Sequence, residues 1–184
     1  MPYPIGKLVT PVGVRSSDGS LHSLSLQDDD SLDVTIKNLP AFSSLGCRVY
    51  NNATLTVLNA TLTAVPFAAS RYDPSGMHSN TVNNSRITIA TVGTYLFGAN
   101  ISFVANATGY REMRISLNGS VDYKASVVIP QSAVAAVMDL NLSCLWQCNI
   151  GDFMQVIIFQ NTGASMTIPA STGYQQEFWA QQVG

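Results

Sequence analysis

The chain has 184 residues, of which only 11% are charged, whereas an average soluble domain has about 25%. Hydrophobic residues make up 46%, which argues against intrinsic disorder, because disorder combines high charge with low hydrophobicity. The net charge of -2 argues against a nucleic-acid-binding protein, whose surface would carry a basic stripe. A chain with so few charges is expected either to bury much of its surface, in an oligomer or a larger assembly, or to keep that surface hydrated with hydroxyl and amide groups.

Residues 1–50 are predicted to form an extended N-terminal arm. Prolines near the start oppose helix formation, and Asp18-Gly19 lies in a turn signal. Alternating apolar and polar residues at 32–37 predict a half-buried strand. We therefore expect two short strands or one hairpin, ordered by docking on a neighbouring protein. The residues predicted to anchor the arm are Leu8, Val9, Val12, Val14, Val34 and Ile36.

Targeting and membrane signals are not evident in the sequence. No window of eighteen apolar residues predicts a membrane span. The opening residues 1–7 lack the basic start and apolar run of a secretory signal, so synthesis in the cytoplasm is expected.

The cysteines are predicted to be free and buried. Cys144 and Cys148 on one strand would share a face about 13 Å apart, which is too far for a disulfide. Cys47 has no predicted partner. His22 and His78 do not stand at ligand spacing from the cysteines, so neither a zinc site nor any cofactor is predicted.

From residue 51 onward the pattern predicts one all-β domain that extends to residue 184. Short strand-like segments recur about every ten residues, which is typical of a sandwich or barrel, and Asn118-Gly119 is a strong hairpin signal. Residues 131–138 are compatible with one helical turn or with a strand. The predicted strands are 54–58, 61–67, 85–89, 95–104, 111–117, 121–128, 140–147, 153–159, 166–168 and 177–183.

Four motifs in this domain resemble the complement globular-head and tumour-necrosis-factor-like jelly rolls. Residues 93–97 resemble the family's glycine and aromatic strand, and 114–119 resemble the strand and Asn-Gly turn that follow. Residues 151–156 resemble its Gly-Asp turn and core strand, and 178–183 resemble its final aromatic strand. The resemblance implies a ten-strand jelly-roll β-sandwich that associates as a homotrimer. The residues assigned to the trimer interface on this basis are Tyr95, Phe97, Phe153 and Phe159.

Bacteriophage virion proteins use this module behind a short arm, and residues 8–14 resemble the start of phage structural proteins. No collagen-like stalk or secretory signal accompanies the module here, which disfavours an animal complement protein or a cytokine. We therefore expect a non-enzymatic virion protein, synthesised in the host cytoplasm. The first expectation is a trimeric capsid decoration protein whose arm adds a strand to the major capsid protein or another virion protein. The alternative is a receptor-binding module on a tail or fibre that recognises a host glycan.

Several groups of side chains in the sequence have the chemistry of a metal-binding, catalytic or ligand-binding site. Asp28–Asp30 with Asp33 offers oxygens for calcium, but a solvated acidic turn is the favoured interpretation. His78 near Asp73 is favoured as part of an edge loop rather than a catalytic set, because no nucleophile elbow is present. Glu112 and Asp122 are favoured as hairpin charges over the carboxylate pair of a glycosidase. The aromatic residues considered as a glycan platform are Tyr72, Tyr110, Tyr123, Tyr174 and Trp146.

Overall fold

The computed structural model describes residues 45–130, 137–170 and 176–184, together with the backbone of two short strands nearer the N-terminus. The chain divides into two compact units, Met1–Phe42 and Ser43–Gly184. The described strands are β1 (Val14–Arg15), β2 (Leu21–His22), β3 (Gly46–Asn51), β4 (Leu55–Val57), β5 (Thr63–Ala64), β6 (Ala69–Tyr72), β7 (Arg86–Thr88), β8 (Gly93–Phe103), β9 (Arg111–Leu117), β10 (Tyr123–Ile129), β11 (Met138–Cys148), β12 (Phe153–Gln160), β13 (Met166–Ile168) and β14 (Gln176–Gln182).

In the first unit, β1 and β2 pair antiparallel, with Val14 opposite His22. The two strands flank the turn predicted at Asp18-Gly19, which agrees with a hairpin in this segment. The strand predicted at 32–37 and the acidic turn lie outside the described residues. So do the predicted anchoring residues Leu8, Val9, Val12, Val34 and Ile36.

In the second unit, two five-stranded antiparallel sheets enclose one core. One sheet has the order β10-β9-β12-β5, with β7 also paired to β12, and the other has the order β11-β8-β14-β3-β6. A short ladder joins β13 to β4. The described residues contain no helix. The fold is therefore all-β, as the strand pattern predicts.

The core is built from alternate residues of strands in both sheets. Every second residue of β8, from Tyr95 to Phe103, faces inward, because side chains alternate across a strand. The ring of Phe178 lies 5.7 Å from that of Phe67 and 6.4 Å from that of Phe97, measured between centroids. These aromatic contacts join β8 and β14 to the segment that follows β5.

Strand β3 corrects the predicted domain boundary. It pairs with β14 and β6 inside the second sheet, with Val49 opposite Phe178. A boundary at residue 51 leaves β3 in the arm, although Cys47 and Val49 are buried in the sandwich core. The prediction was wrong here because the partners of β3 are distant in sequence.

The Asn118-Gly119 turn confirms the predicted β9–β10 hairpin. Both residues have positive φ, 54° and 68°, as a type I′ turn requires. Ser116 lies opposite Tyr123 across the turn. Asn118 also donates its side-chain amide to the Asp152 carboxylate at 2.8 Å, which ties the hairpin to the turn before β12.

Candidate association surface

The sheet β11-β8-β14-β3-β6 has an outer face on which a flat row of residues crosses four strands. Ser143, Gly98, Trp179 and Arg48 stand side by side in register. A Cβ at Gly98 would lie closer to the Trp179 indole than van der Waals contact allows. Glycine at this position therefore lets the ring lie flat across β8. The Arg48 guanidinium lies 5.6 Å from the ring centroid.

Beside this row lies a charge cluster centred on Glu177. Its nearly buried carboxylate accepts hydrogen bonds from Arg48 Nε at 2.7 Å and from Arg71 Nε at 2.8 Å. The Arg71 guanidinium also lies 4.6 Å from the Tyr50 ring centroid. Both arginine side chains remain almost half exposed, so water screens these ion pairs and they add little stability. The cluster gives this part of the face a net positive charge.

One end of the same sheet carries exposed apolar side chains, which we name the apolar end. Leu96 and Leu145 lie opposite each other on the outer face of β8 and β11. The other three residues belong to the loops and chain end that adjoin these strands. The members of the apolar end are Val92, Leu96, Leu145, Ile150 and Val183. Clustered exposed apolar side chains mark interaction sites, so this end is the best candidate for an association surface.

The structure does not place the predicted trimer-interface residues on that surface. Tyr95 and Phe97 have 0% exposure and face the core of a single chain, so their assignment to an interface was wrong. The Tyr95 hydroxyl donates to the backbone oxygen of Thr91 at 2.8 Å. Alternation predicts which residues share a face of β8, and here Leu96 rather than its neighbours points outward.

Phe153 and Phe159 lie on the outer face of the other sheet and are half-buried. The Arg86 guanidinium covers Phe153 at 4.0 Å from the ring centroid. The Tyr110 ring lies 5.5 Å from that of Phe159. Both rings are therefore engaged by side chains of the same chain.

Glu112 and Asp122 belong to separate ion pairs on the β9–β10 hairpin. Glu112 accepts from Arg114 Nε and Nη2 at 2.5 and 2.6 Å, and Lys124 donates to Asp122 at 2.7 Å. The hydrogen bonds from Arg114 hold the pKa of Glu112 below its usual value, although burial opposes this shift. Glu112 lies opposite Val128, far along the ladder from Asp122. Glu112 is a buried structural anion rather than a surface charge.

His78 joins two segments of backbone. Its Nδ1 lies 2.7 Å from the backbone oxygen of Arg86, and its Nε2 lies 2.7 Å from that of Phe67. Asp73 accepts hydrogen bonds from the backbone N–H groups of Met77 and His78. These contacts support the predicted structural role of the 71–79 segment, which folds in part as strand β6.

All three cysteines are free, as predicted. Burial raises the pKa of the Cys47 thiol to about 12, and the Asp73 carboxylate adds to this rise. Burial also raises the pKa of Cys148 to about 11 and raises that of Cys144. The thiols are therefore protonated at neutral pH, which makes them poor nucleophiles.

The aromatic residues considered for glycan binding do not form one platform. Tyr72 lies at the β6 edge of one sheet, whereas Tyr123 lies on the other sheet beneath Arg114. Tyr110 contacts Phe159, Lys124 covers Trp146 at 4.2 Å, and Tyr174 lies outside the described residues.

Among the described residues, no group of three histidine, cysteine or acidic side chains is arranged to bind a metal ion. Nor do they include a helix of the length and apolarity that a membrane span requires.

Comparison with solved structures defines the class of fold. The globular domain of the zebrafish complement 1qA protein matches with a TM-score of 0.53 and 12% identity, over 77% of this chain and 98% of that one. Murine APRIL, crystallised at pH 5.0, matches with a TM-score of 0.55 and 12% identity, over 74% of this chain and 98% of that one. No family model and no curated protein matches the sequence.

The chain therefore has the jelly-roll fold shared by complement globular domains and the tumour-necrosis-factor family. This confirms the fold implied by the sequence motifs. At this level of identity the likeness shows the fold alone, and function has to be argued from the surface.

Proposed function

We propose that this chain is a non-enzymatic structural module that assembles as a homotrimer in a bacteriophage virion, as a decoration protein of the capsid. The observation that carries the proposal is the apolar end, a group of exposed apolar side chains on a jelly-roll sheet. The virion setting rests on the resemblance of the sequence, including its opening residues 8–14, to phage structural proteins.

The apolar end supports self-association on energetic grounds. Burying apolar surface contributes about 25 cal/mol per Å², and a charge-poor chain offers few charged groups that association would have to desolvate. Closed symmetric assembly lets each copy use the same surface. The trimer is the closed state that the family resemblance implies.

The N-terminal segment supplies the proposed anchor. Met1–Phe42 and Ser43–Gly184 are distinct units of the chain, and we assign anchoring to the first of them. An extended segment binds an exposed sheet edge through main-chain hydrogen bonds, and side-chain pockets add specificity. We propose the major capsid protein or a neighbouring virion protein as its partner.

The first test is the copy number and position of the protein in purified particles, by quantitative mass spectrometry with immunogold labelling. Decoration predicts hundreds of copies spread over the head. A few copies at the tail tip, in a multiple of three, would contradict decoration and favour the receptor-binding alternative.

A second test removes the anchor. Deletion of residues 1–40 stops short of Ser43, where the sandwich unit begins. The truncated protein should keep its oligomeric state but lose binding to empty heads. Retained binding would show that the arm is not the anchor.

A further inference from the structure

Arg111, the first residue of β9, is a buried cation with unused hydrogen-bond donors. Its side chain has 0% exposure and is the largest fully buried one among the described residues. Nη2 donates to the backbone oxygen of Asn106 at 2.8 Å, whereas Nε and Nη1 have no hydrogen-bond partner among the described residues. A guanidinium stays charged in proteins, and a buried charge is costly unless it is paired.

The polar side chain paired with Arg111 in the β9–β12 ladder cannot satisfy these donors. Gln160 lies opposite Arg111 on β12, but its polar atoms are already used. Its Nε2 donates to the backbone oxygens of Val57 and Ala164, at 3.1 and 2.8 Å. Its Oε1 accepts from the backbone N–H and the hydroxyl of Thr162, at 2.8 and 2.7 Å.

The acidic side chains among the described residues are likewise engaged away from Arg111. Each one accepts hydrogen bonds from a cation, a hydroxyl, an amide or a backbone N–H elsewhere in the sandwich. The partners are Met77 and His78 for Asp73, Arg114 for Glu112, Lys124 for Asp122, Ser102 for Asp139, Asn118 and Asn149 for Asp152, and Arg48 and Arg71 for Glu177. The positive charge of Arg111 is therefore not neutralised by any of these carboxylates.

Arg111 lies at one end of β9, directly after a loop with exposed residues. It occupies the last paired position of the β9–β10 and β9–β12 ladders, opposite Ile129 and Gln160. Its hydrogen bond to the backbone oxygen of Asn106 reaches the 104–110 loop, where Ala107 and Thr108 are exposed. Residues 104–110 lie between β8 and β9, so outward displacement of this loop leaves the pairing of both strands intact and breaks only local contacts, such as the hydrogen bonds between Tyr110 and Asn161.

We propose that Arg111 is the anchor of an anion-binding site at this end of the sandwich, which takes a small oxyanion from solvent when the 104–110 loop opens. The guanidinium fork matches the geometry of carboxylate and phosphate groups and forms charge-assisted hydrogen bonds with them. The bound anion satisfies the unused donors and neutralises the buried charge. Anion binding is thus coupled to the stability of the folded chain.

The test compares the thermal unfolding midpoint of the full-length wild type with those of Arg111→Met and Arg86→Met. Sodium phosphate and sodium acetate are titrated in separate arms at constant ionic strength, so that the two oxyanion sources are distinguished. At about 100 times the dissociation constant, one bound anion should raise the wild-type midpoint by about 5–10 °C. Arg111→Met should lose this rise. Arg86→Met removes the same charge from a residue stacked on Phe153 and should keep it.

Two outcomes would overturn the proposal: no rise in either arm for the wild type, or the same rise in all three proteins. If Arg111→Met does not fold, the wild type alone decides the matter by NMR. The assigned Arg111 Hε resonance should shift in a saturable manner with phosphate or acetate. An Arg111 Hε resonance that stays unchanged throughout both titrations would show that the guanidinium binds neither anion, which would overturn the proposal.

Discussion

Leu145→Asp is the substitution that most directly tests the apolar end as an association surface. Leu145 is 61% exposed and lies opposite Leu96. Full burial of a leucine side chain contributes about 1.5–3 kcal/mol, so burying this exposed part in an oligomer contributes roughly 1–2 kcal/mol per copy. Over three copies the loss is roughly 3–6 kcal/mol before the cost of desolvating each carboxylate is counted. Since 1.4 kcal/mol is a factor of ten, the trimer should dissociate at least about a hundredfold more readily.

The assay is sedimentation velocity of the full-length protein over a concentration series from high nanomolar to tens of micromolar. The matched control is Leu58→Asp, because Leu58 is also a leucine, is 57% exposed, and follows β4 rather than adjoining the apolar end. Wild type and Leu58→Asp should sediment as trimers at micromolar concentration. Leu145→Asp should dissociate to monomers at concentrations where the wild type is still a trimer, with an unchanged circular dichroism spectrum.

Two results would refute this argument. A wild type that stays monomeric at tens of micromolar would contradict the proposal that the chain forms a trimer. Equal behaviour of the two variants would show that association uses another surface, such as the outer face of the opposite sheet.

Three further predictions concern the sandwich itself. Gly98→Ala places a methyl group against the Trp179 indole and should lower the free energy of unfolding, measured by urea titration, by about 1–3 kcal/mol. An unchanged urea midpoint would show that the indole ring can move aside without cost. Arg114 holds the pKa of Glu112 below 4.5. The ionised carboxylate therefore stabilises the fold above about pH 4.5, and this stabilisation is lost as the pH falls through the folded-state pKa. Glu112→Gln should therefore be less stable than the wild type at pH 7 and lose less stability on acidification, and parallel pH profiles would argue against the ion pair. Cys47, with a pKa of about 12, should react with a thiol reagent at pH 8 only after denaturation; rapid labelling of the folded protein would contradict its burial.

Local sequence signals predicted the regular elements of the sandwich well. The segments at 111–117 and 166–168 coincide with β9 and β13, because apolar alternation and nearby turn residues define them. The Asn118-Gly119 hairpin follows from the positive φ angles that these two residues tolerate. Strand periodicity and turn type depend on residues that are adjacent in the chain, so they can be predicted from a short stretch of sequence.

Features that depend on distant partners were not predictable in the same way. Strand β3 is recognisable only through its pairing with β14, more than a hundred residues later. The charge cluster around Glu177 also depends on distant residues, because Arg48 and Arg71 contact Glu177 from other strands. No local sequence motif predicts it. In the apolar run of β12, Phe153 and Met154 point to opposite faces although both are hydrophobic, so alternation could not decide which one enters the core.

The pairing of β3 with β14 also has a consequence for the order of folding during synthesis. Strand β14 lies between β3 and β8 in its sheet, so neither strand has its full complement of main-chain partners until residues 176–182 leave the ribosome. The sandwich therefore closes only after nearly the whole domain has been translated, and its non-local contacts favour slow folding, on a timescale of roughly milliseconds to seconds. Until then β8 presents an open, apolar edge, and such edges are where nascent β-proteins aggregate. When many copies of this chain are translated at once, aggregation of the incomplete sheet should therefore be reduced by slower translation or by chaperone binding.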